Sequence, residues 1–390
     1  MRQWQPFLQS LVTKALQNPA FEAVPPVSGF KYSLGVASRL LPRSWTLGKR
    51  YAEFQALAKA GESWSVDQIR EYQAKQLRTT LIQAGNHCPY YQRTFARAGF
   101  RPELVRGPED LRDCPMLEKT DLALHLPQIV STVVPARHRL YFEARDGPSE
   151  PLAFCLQKGV SLPKDESFLQ AMWRRVGYGE GARVAVIGGG APAPGGGGRS
   201  VHYDAFRNWL VLASDRFTEE LLPESLRVIE SFKPGFLQVE PSVALRLAGY
   251  LESEGQAWRW PLRALLCGGE GITAGQKSLL ERMFRCRVYH WYGQSERVVL
   301  AGAGAESELL YFFPHYGLVE FGPPNEQGLH EVIGTSFHNL AMPLVRYRTG
   351  DYVRLADPRT DGDLEFPWPA AAFPPRWAGL HGGALAQANP

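Results

Sequence analysis

Apolar positions along this chain recur in two rhythms, and the switch between them divides it. Up to about residue 137 the rhythm is helical. Ser65-Val66-Asp67-Gln68 has the form of a capping box, and Ile69, Tyr72, Leu77 and Leu81 follow at roughly helical spacing. His87-Cys88-Pro89 predicts the end of that helix, because proline disfavours helical backbone in the residue before it. Pro108-Glu109-Asp110-Leu111 and Glu118-Lys119-Thr120-Asp121-Leu122 read as starts of short helices.

From about residue 138 short apolar runs alternate with amphipathic stretches. Leu140-Tyr141-Phe142 reads as a strand, 167–176 as a helix, and Val184-Ala185-Val186-Ile187 as a buried strand. Leu210-Val211-Leu212 is a further strand, and 219–232 a helix. Phe236-Leu237-Gln238 and Ala264-Leu265-Leu266-Cys267 are strands separated by a helix over 242–252. Strands alternating with helices predict an α/β fold with a largely parallel sheet. After Gly317 the pattern is β-rich, with strands at 318–321, 330–334 and 352–355. The division expected is a helical region 1–137, an α/β core 138–316, a small β subdomain 317–356 and a tail 357–390. Residues 361–390 are dense in Pro, Gly and Ala without amphipathic period, which predicts irregular chain. There is no internal repeat.

Composition narrows the class. At 390 residues the chain exceeds one ordinary core, so two or more subdomains are expected. With 44% hydrophobic and 21% charged residues it reads as a soluble globular protein. A net charge of +4, with basic and acidic residues interspersed, argues against a nucleic-acid partner. Five cysteines without a close pair read as reduced thiols. Residues 1–20 do not form a signal peptide, and no run of about 18 apolar residues is present. A cytoplasmic location without a membrane partner is the expectation.

Two strings carry candidate chemistry: Tyr292-Gly293-Gln294-Ser295-Glu296 and Arg346-Tyr347-Arg348-Thr349-Gly350-Asp351. Each sets carboxylate and hydroxyl groups beside glycine, which admits sharp turns and close ligand approach. Carboxylates so placed can hold a sugar hydroxyl or a metal–phosphate. A third stretch, Gly188-Gly189-Gly190-Ala191-Pro192-Ala193, fits a loose dinucleotide pattern. That pattern needs a helix to begin at once, and Pro192, Pro194 and the glycines at 195–198 interrupt it. It reads as a surface loop, with a lid near the site as the alternative.

The same order of motifs continues through the chain: Leu41-Pro42-Arg43-Ser44-Trp45, Cys88-Pro89-Tyr90-Tyr91, Lys233-Pro234 with Gln238, Gly268-Gly269-Glu270, and the string from Gly334 to Asp351. Over about residues 40–356 the chain resembles the adenylate-forming enzymes, in the phenylacetate–CoA ligase-like branch that includes capsular-polysaccharide-biosynthesis members. The resemblance implies an α/β large N-terminal domain with mixed, mostly parallel sheets, flanking helices and a small β subdomain. The family's C-terminal lid domain is expected to be absent or vestigial here, because the tail beyond Asp357 is short and rich in Pro and Gly. It implies activation of an acyl or aryl carboxylate by ATP and Mg²⁺ to an acyl-adenylate. The acyl group then passes to a thiol, usually coenzyme A, or to an amine, with an acyl acceptor or carrier protein as partner. By position, Gly268, Gly269 and Glu270 would flank the adenine, and Tyr292 and Gly293 would border the adenine and acyl group. Ser295 would approach the α-phosphate, Glu296 the Mg²⁺–phosphate, and Asp351 the ribose hydroxyls. Glu296, Ser295 and Arg348 are the candidate catalytic set, and Glu296 the candidate metal ligand.

Two places depart from that pattern. The family's phosphate loop is rich in Ser, Thr and Gly, whereas the string here is Ala144-Arg145-Asp146-Gly147-Pro148-Ser149-Glu150-Pro151-Leu152. Pro148 lacks an N–H donor, and Asp146 and Glu150 would repel phosphate. The family's C-terminal lysine has no counterpart, since no lysine follows Lys277. These departures keep three other readings open: a non-catalytic binding or partner subunit, an ATP-independent acyl transferase and, last, a nucleotide-cofactor oxidoreductase built on 188–193.

Overall fold

The computed structural model describes residues 48–144, 151–188, 201–204, 207–213, 217–218, 220–304 and 309–356, and the backbone of 370–372. The expectations for the motif at 41–45, the phosphate loop at 145–150, the glycine-rich stretch beyond Gly188 and most of the tail lie outside these residues. In chain order the helices are α1 Lys49–Gly61, α2 Val66–His87, α3 Pro89–Ala98, α4 Lys119–Ile129, α5 Ser161–Trp173, α6 Leu222–Phe232, α7 Pro241–Ser253 and α8 Ala274–Phe284. The strands are β1 Arg139–Ala144, β2 Leu152–Gln157, β3 Val184–Ile187, β4 Val201–Asp204, β5 Trp209–Leu212, β6 Phe236–Val239 and β7 Ala264–Cys267. They continue with β8 Arg287–Gly293, β9 Leu300–Ala303, β10 Leu310–Phe312, β11 Gly317–Pro324, β12 His330–Ser336, β13 Tyr347–Leu355 and β14 Ala370–Ala372. The chain divides into two compact units, Met1–Ala52 with Trp173–His290, and Glu53–Met172 with Trp291–Pro390.

The first unit is the mostly parallel α/β part that the alternating pattern predicts. β3 pairs in parallel with β5 on one side and β6 on the other, followed by β7 and the start of β8. Among the described strands of this unit, only β4 runs antiparallel, against β5. The strands are short and apolar because parallel sheets are covered on both faces. All four residues of β7 are buried, and Leu237, Val239, Leu247, Leu265, Phe284 and Val288 share one core. The chain leaves β3 in both directions, so the β3–β6 junction is a topological switch point, where open α/β sheets place their ligand crevice. Gly188, Glu240 and Gly268 follow the C-terminal ends of β3, β6 and β7.

The second unit combines helices with antiparallel strands. α2 starts at the expected capping box: the Gln68 amide N–H donates to Ser65 Oγ at 3.3 Å, and the Ser65 N–H to Gln68 Oε1 at 2.9 Å. It ends at His87, and Pro89 opens α3 at a position where a missing N–H costs nothing. β1 and β2 form an antiparallel pair. The end of β8 pairs with β9, β9 with β10, β10 with β14, β14 with β13, β13 with β12 and β12 with β11, all antiparallel. β14 falls within the stretch 361–390 expected to be irregular, whose other residues lie outside the described ones. Strand pairing is made by backbone groups, and a run of alanines carries no alternation by which to announce it. α5 begins six residues before the expected 167, since Pro163 is tolerated in a first turn.

One buried charge in this unit sets a measurable dependence. Lys164 of α5 is only 2% exposed, and burial pushes its pKa from 10.5 down to about 7. Between these values the unfolded chain binds a proton that the folded chain has lost. Stability therefore rises with pH from about 7, by at most about 1.4 kcal/mol per unit. Above about pH 8.5 the thiols ionise in the unfolded chain, while burial pushes them up in the folded one, and the slope reverses. Urea midpoints at pH 7.0 and 8.5 should show the rise, and Lys164→Met should flatten it; a wild-type midpoint that falls across this window would contradict the assignment. No helix among the described residues is long and apolar enough to cross a membrane.

Candidate functional site

The two sequence strings meet in the second unit. Tyr292 and Gly293 end β8, Ser295 and Glu296 form the turn that follows, and β13 carries 347–355. Along β13 buried and less buried residues alternate, so Tyr347, Thr349 and Asp351 share one face. Tyr347 Oη donates to Glu296 Oε1 at 2.7 Å, and Tyr292 Oη donates to Asp351 Oδ2 at 2.6 Å. Each string thus lends a tyrosine to the carboxylate of the other. Gln294 supports the second pair, its amide N–H donating to Tyr292 Oη and its Oε1 accepting from the Val299 N–H at 3.3 Å.

Burial gives these bonds their force. Glu296 is 5% exposed, Asp351 7%, Tyr292 7% and Tyr347 fully buried. Burial, followed by the adjacent Asp351 charge, drives the Tyr292 phenol well above its ordinary pKa, so it remains a donor. A carboxylate accepts up to about four hydrogen bonds, so the Asp351–Tyr292 bond is compatible with further hydroxyl donors. Thr349 Oγ1 accepts from the Asp351 N–H at 3.1 Å and donates to Val332 O at 2.8 Å, which ties Asp351 to β12.

A close backbone approach brings Glu296 to this place. A Cβ on Gly317 would lie 2.1 Å from Val298 O, and one on Gly334 would lie 2.6 Å from Val298 Cγ1. The segment after Glu296 can therefore press on β11 and β12 only where they lack side chains. Ser295, at the tip of the turn, is exposed.

Not every candidate joins this cluster. Arg348 lies on the opposite face of β13. Its Nε donates to Glu331 Oε2 at 2.8 Å and an Nη to Glu118 Oε1 at 3.0 Å. Arg346 anchors β11 and the turn at Pro108–Asp113, bonding Glu320, Leu111 O and Cys114 O at 2.7–3.1 Å. Gly268, Gly269 and Glu270 belong to the first unit. There Glu270 accepts from Ser242 N–H and Oγ, each at 2.8 Å, so its carboxylate caps the positive end of α7. His290 Nε2 lies 2.9 Å from Glu270 O, and burial pushes the His290 pKa down. Sequence reading missed the roles of Tyr347, Gln294 and Ser242. Tyr347 and Glu296 are 51 positions apart, and no spacing rule links them.

No family model matches the chain. Phenylacetate-coenzyme A ligase of Escherichia coli is 28% identical over 310 residues, covering 75% of this chain and 69% of that protein. Protein CapK of Staphylococcus aureus is 21% identical over 248 residues, covering 63% of this chain and 54% of CapK. A crystal structure of 2-hydroxyisobutyryl-CoA ligase in an open conformation, with 2-HIB-AMP and CoA, superposes with a TM-score of 0.63 at 17% identity, over 81% of this chain and 76% of that one. The chain is thus a relative of the phenylacetate–coenzyme A ligases, with the fold of the adenylate-forming ligases.

Proposed function

We propose that the chain activates an acyl or aryl carboxylic acid with ATP and transfers the acyl group to a thiol, such as that of coenzyme A, or to an amine, within a biosynthetic pathway. In the first step a carboxylate oxygen attacks the α-phosphate, giving the acyl-adenylate and pyrophosphate. In the second the acceptor displaces AMP. The observation that carries this reading is the reciprocal pairing Tyr347–Glu296 and Tyr292–Asp351 within one buried cluster. The names of the relatives support it, as does the adenylate in the related ligase structure.

Asp351 is suited to accept the vicinal hydroxyls of a ribose, and Tyr292 and Gly293 to border the adenine and acyl group. Ser295 is at hand for the α-phosphate. Gly268, Gly269 and Glu270 are assigned to the adenine edge from their place after β7, where such sheets bind ligands.

The residues fit a magnesium ion. Mg²⁺ uses one or two carboxylates together with substrate phosphates and waters, not an all-protein cage. Among the described residues no group of three or more His, Cys, Asp or Glu side chains could hold a metal, while Glu296 offers a fixed hard oxygen donor. When bound, the ion screens phosphate charge; what the chain contributes is the fixed aim of Glu296.

The test is ATP–pyrophosphate exchange with a panel of aryl and acyl carboxylates, beside titrations with ATP and AMP. Exchange that requires one acid is expected. Nucleotide binding without exchange for any acid would count against adenylation and favour a binding subunit. Lack of nucleotide binding would count against both nucleotide readings and favour a repurposed pocket, which Asp146, Pro148 and Glu150 in the altered phosphate loop also favour.

A further inference from the structure

Lys164 has no part in the chemistry proposed above, yet its surroundings lead back to Glu296. Its Nζ donates to Tyr316 O at 3.2 Å and Phe337 O at 3.1 Å, and lies 3.7 Å from the Tyr316 ring centroid. Tyr316 is fully buried, and its Oη donates to Asp165 Oδ1 at 2.9 Å. The other Asp165 oxygen lies 3.4 Å from a guanidinium nitrogen of Arg297. The Arg297 N–H donates to Gln294 O at 3.0 Å, closing the turn in which Glu296 is the third residue. Arg297 does so with a φ of +58°, a conformation that costs a side-chain-bearing residue on the order of 1 kcal/mol or more.

Burying a lysine amine is costly, either by desolvating its charge or by giving up its proton, so its retention in a core calls for a reason beyond stability. The strained closing residue of the turn likewise needs an outside hold. The network supplies one, because each member has its partner fixed by the next.

We propose that Lys164, Tyr316 and Asp165 are positioning residues that, through Arg297, lock the Gln294–Arg297 turn and so aim the Glu296 carboxylate. The inference rests on the reading of Glu296 given above. Tyr347 holds the carboxylate end of that side chain, and Arg297 holds the backbone from which it springs. Cutting the network leaves the phenol bond in place and frees the turn beneath it.

Tyr316→Phe is the sharpest probe, since it removes only the hydroxyl and keeps both carbonyls and the ring that Lys164 touches. Hydrogen exchange resolved to peptides reads the turn without any appeal to activity. The Arg297 and Val299 amides, both bonded to Gln294, should exchange about tenfold faster in the variant, while 347–355 stays unchanged. The adenylation kcat should fall about tenfold with the KM for the carboxylate little altered. Asp165→Asn should reproduce both effects, and Asp165→Glu should restore part of them. Unchanged exchange at 294–299, or faster exchange spread across the whole unit, would overturn the proposal. Faster exchange confined to 294–299 in a chain whose wild type lacks pyrophosphate exchange would support the turn lock and reject the ligase reading instead.

Discussion

Glu296→Gln should lose about a hundred- to a thousandfold in the kcat of ATP–pyrophosphate exchange while keeping its fold and its affinity for AMP. The substitution is nearly isosteric, and a glutamine carbonyl can still accept the 2.7 Å bond from Tyr347 Oη. What it removes is the negative charge that would meet a metal–phosphate. Asp351 keeps its own bond to Tyr292, so the adenosine side should be left intact. Tyr347→Phe keeps the charge and removes the bond that aims it, so its loss should be smaller, about tenfold. Steady-state exchange kinetics beside an AMP titration check both. Equal losses in the two variants would mean that the aiming bond matters as much as the charge, and an unchanged kcat in Glu296→Gln would remove Glu296 from the chemistry.

The largest expected effect on stability comes from a single methyl group. Gly317→Ala would put Cβ 2.1 Å from the carbonyl oxygen of Val298, a backbone atom fixed between strands. Relief requires β11 to move away from the segment that follows Glu296, at a cost of about 3 kcal/mol or more. Gly334→Ala makes a useful contrast. Its Cβ would meet Val298 Cγ1 at 2.6 Å, a side-chain atom that can rotate away, so its loss should be clearly smaller. Urea midpoints of the two variants against wild type provide the comparison. If Gly334→Ala proved the more damaging, the account of the close approach would be wrong.

How much of this could be read in advance depended on whether a contact was local. The run Val184-Ala185-Val186-Ile187 and the capping box at Ser65 declare their elements within a few residues, and both are found. β8, with sequence Arg-Val-Tyr-His-Trp-Tyr-Gly, mixes polar and aromatic residues, and it was legible only as a strand-like run ending in the first motif, without bounds. α8 was missed despite a legible capping box, Thr273 with Gln276. In the site, Glu296, Tyr292 and Asp351 were named from the motif resemblance, and the structure gathers them. Arg348 was named with them, and strand period alone would have set it apart, since 348 faces away from 347, 349 and 351. The phenol bonds and the Lys164 network were out of reach, because they join residues tens to hundreds of positions apart.

β14 has a practical consequence for anyone shortening this chain. Three alanines, paired on one side with β13 and on the other with β10, close what would otherwise be two open strand edges. One of those strands displays Asp351. Ending a recombinant version at residue 356, where the β-rich pattern stops, would bare rows of unpaired amide and carbonyl groups beside the site. Such edges recruit strands from other molecules, so the truncated product would be prone to aggregate. The useful boundary lies beyond residue 372.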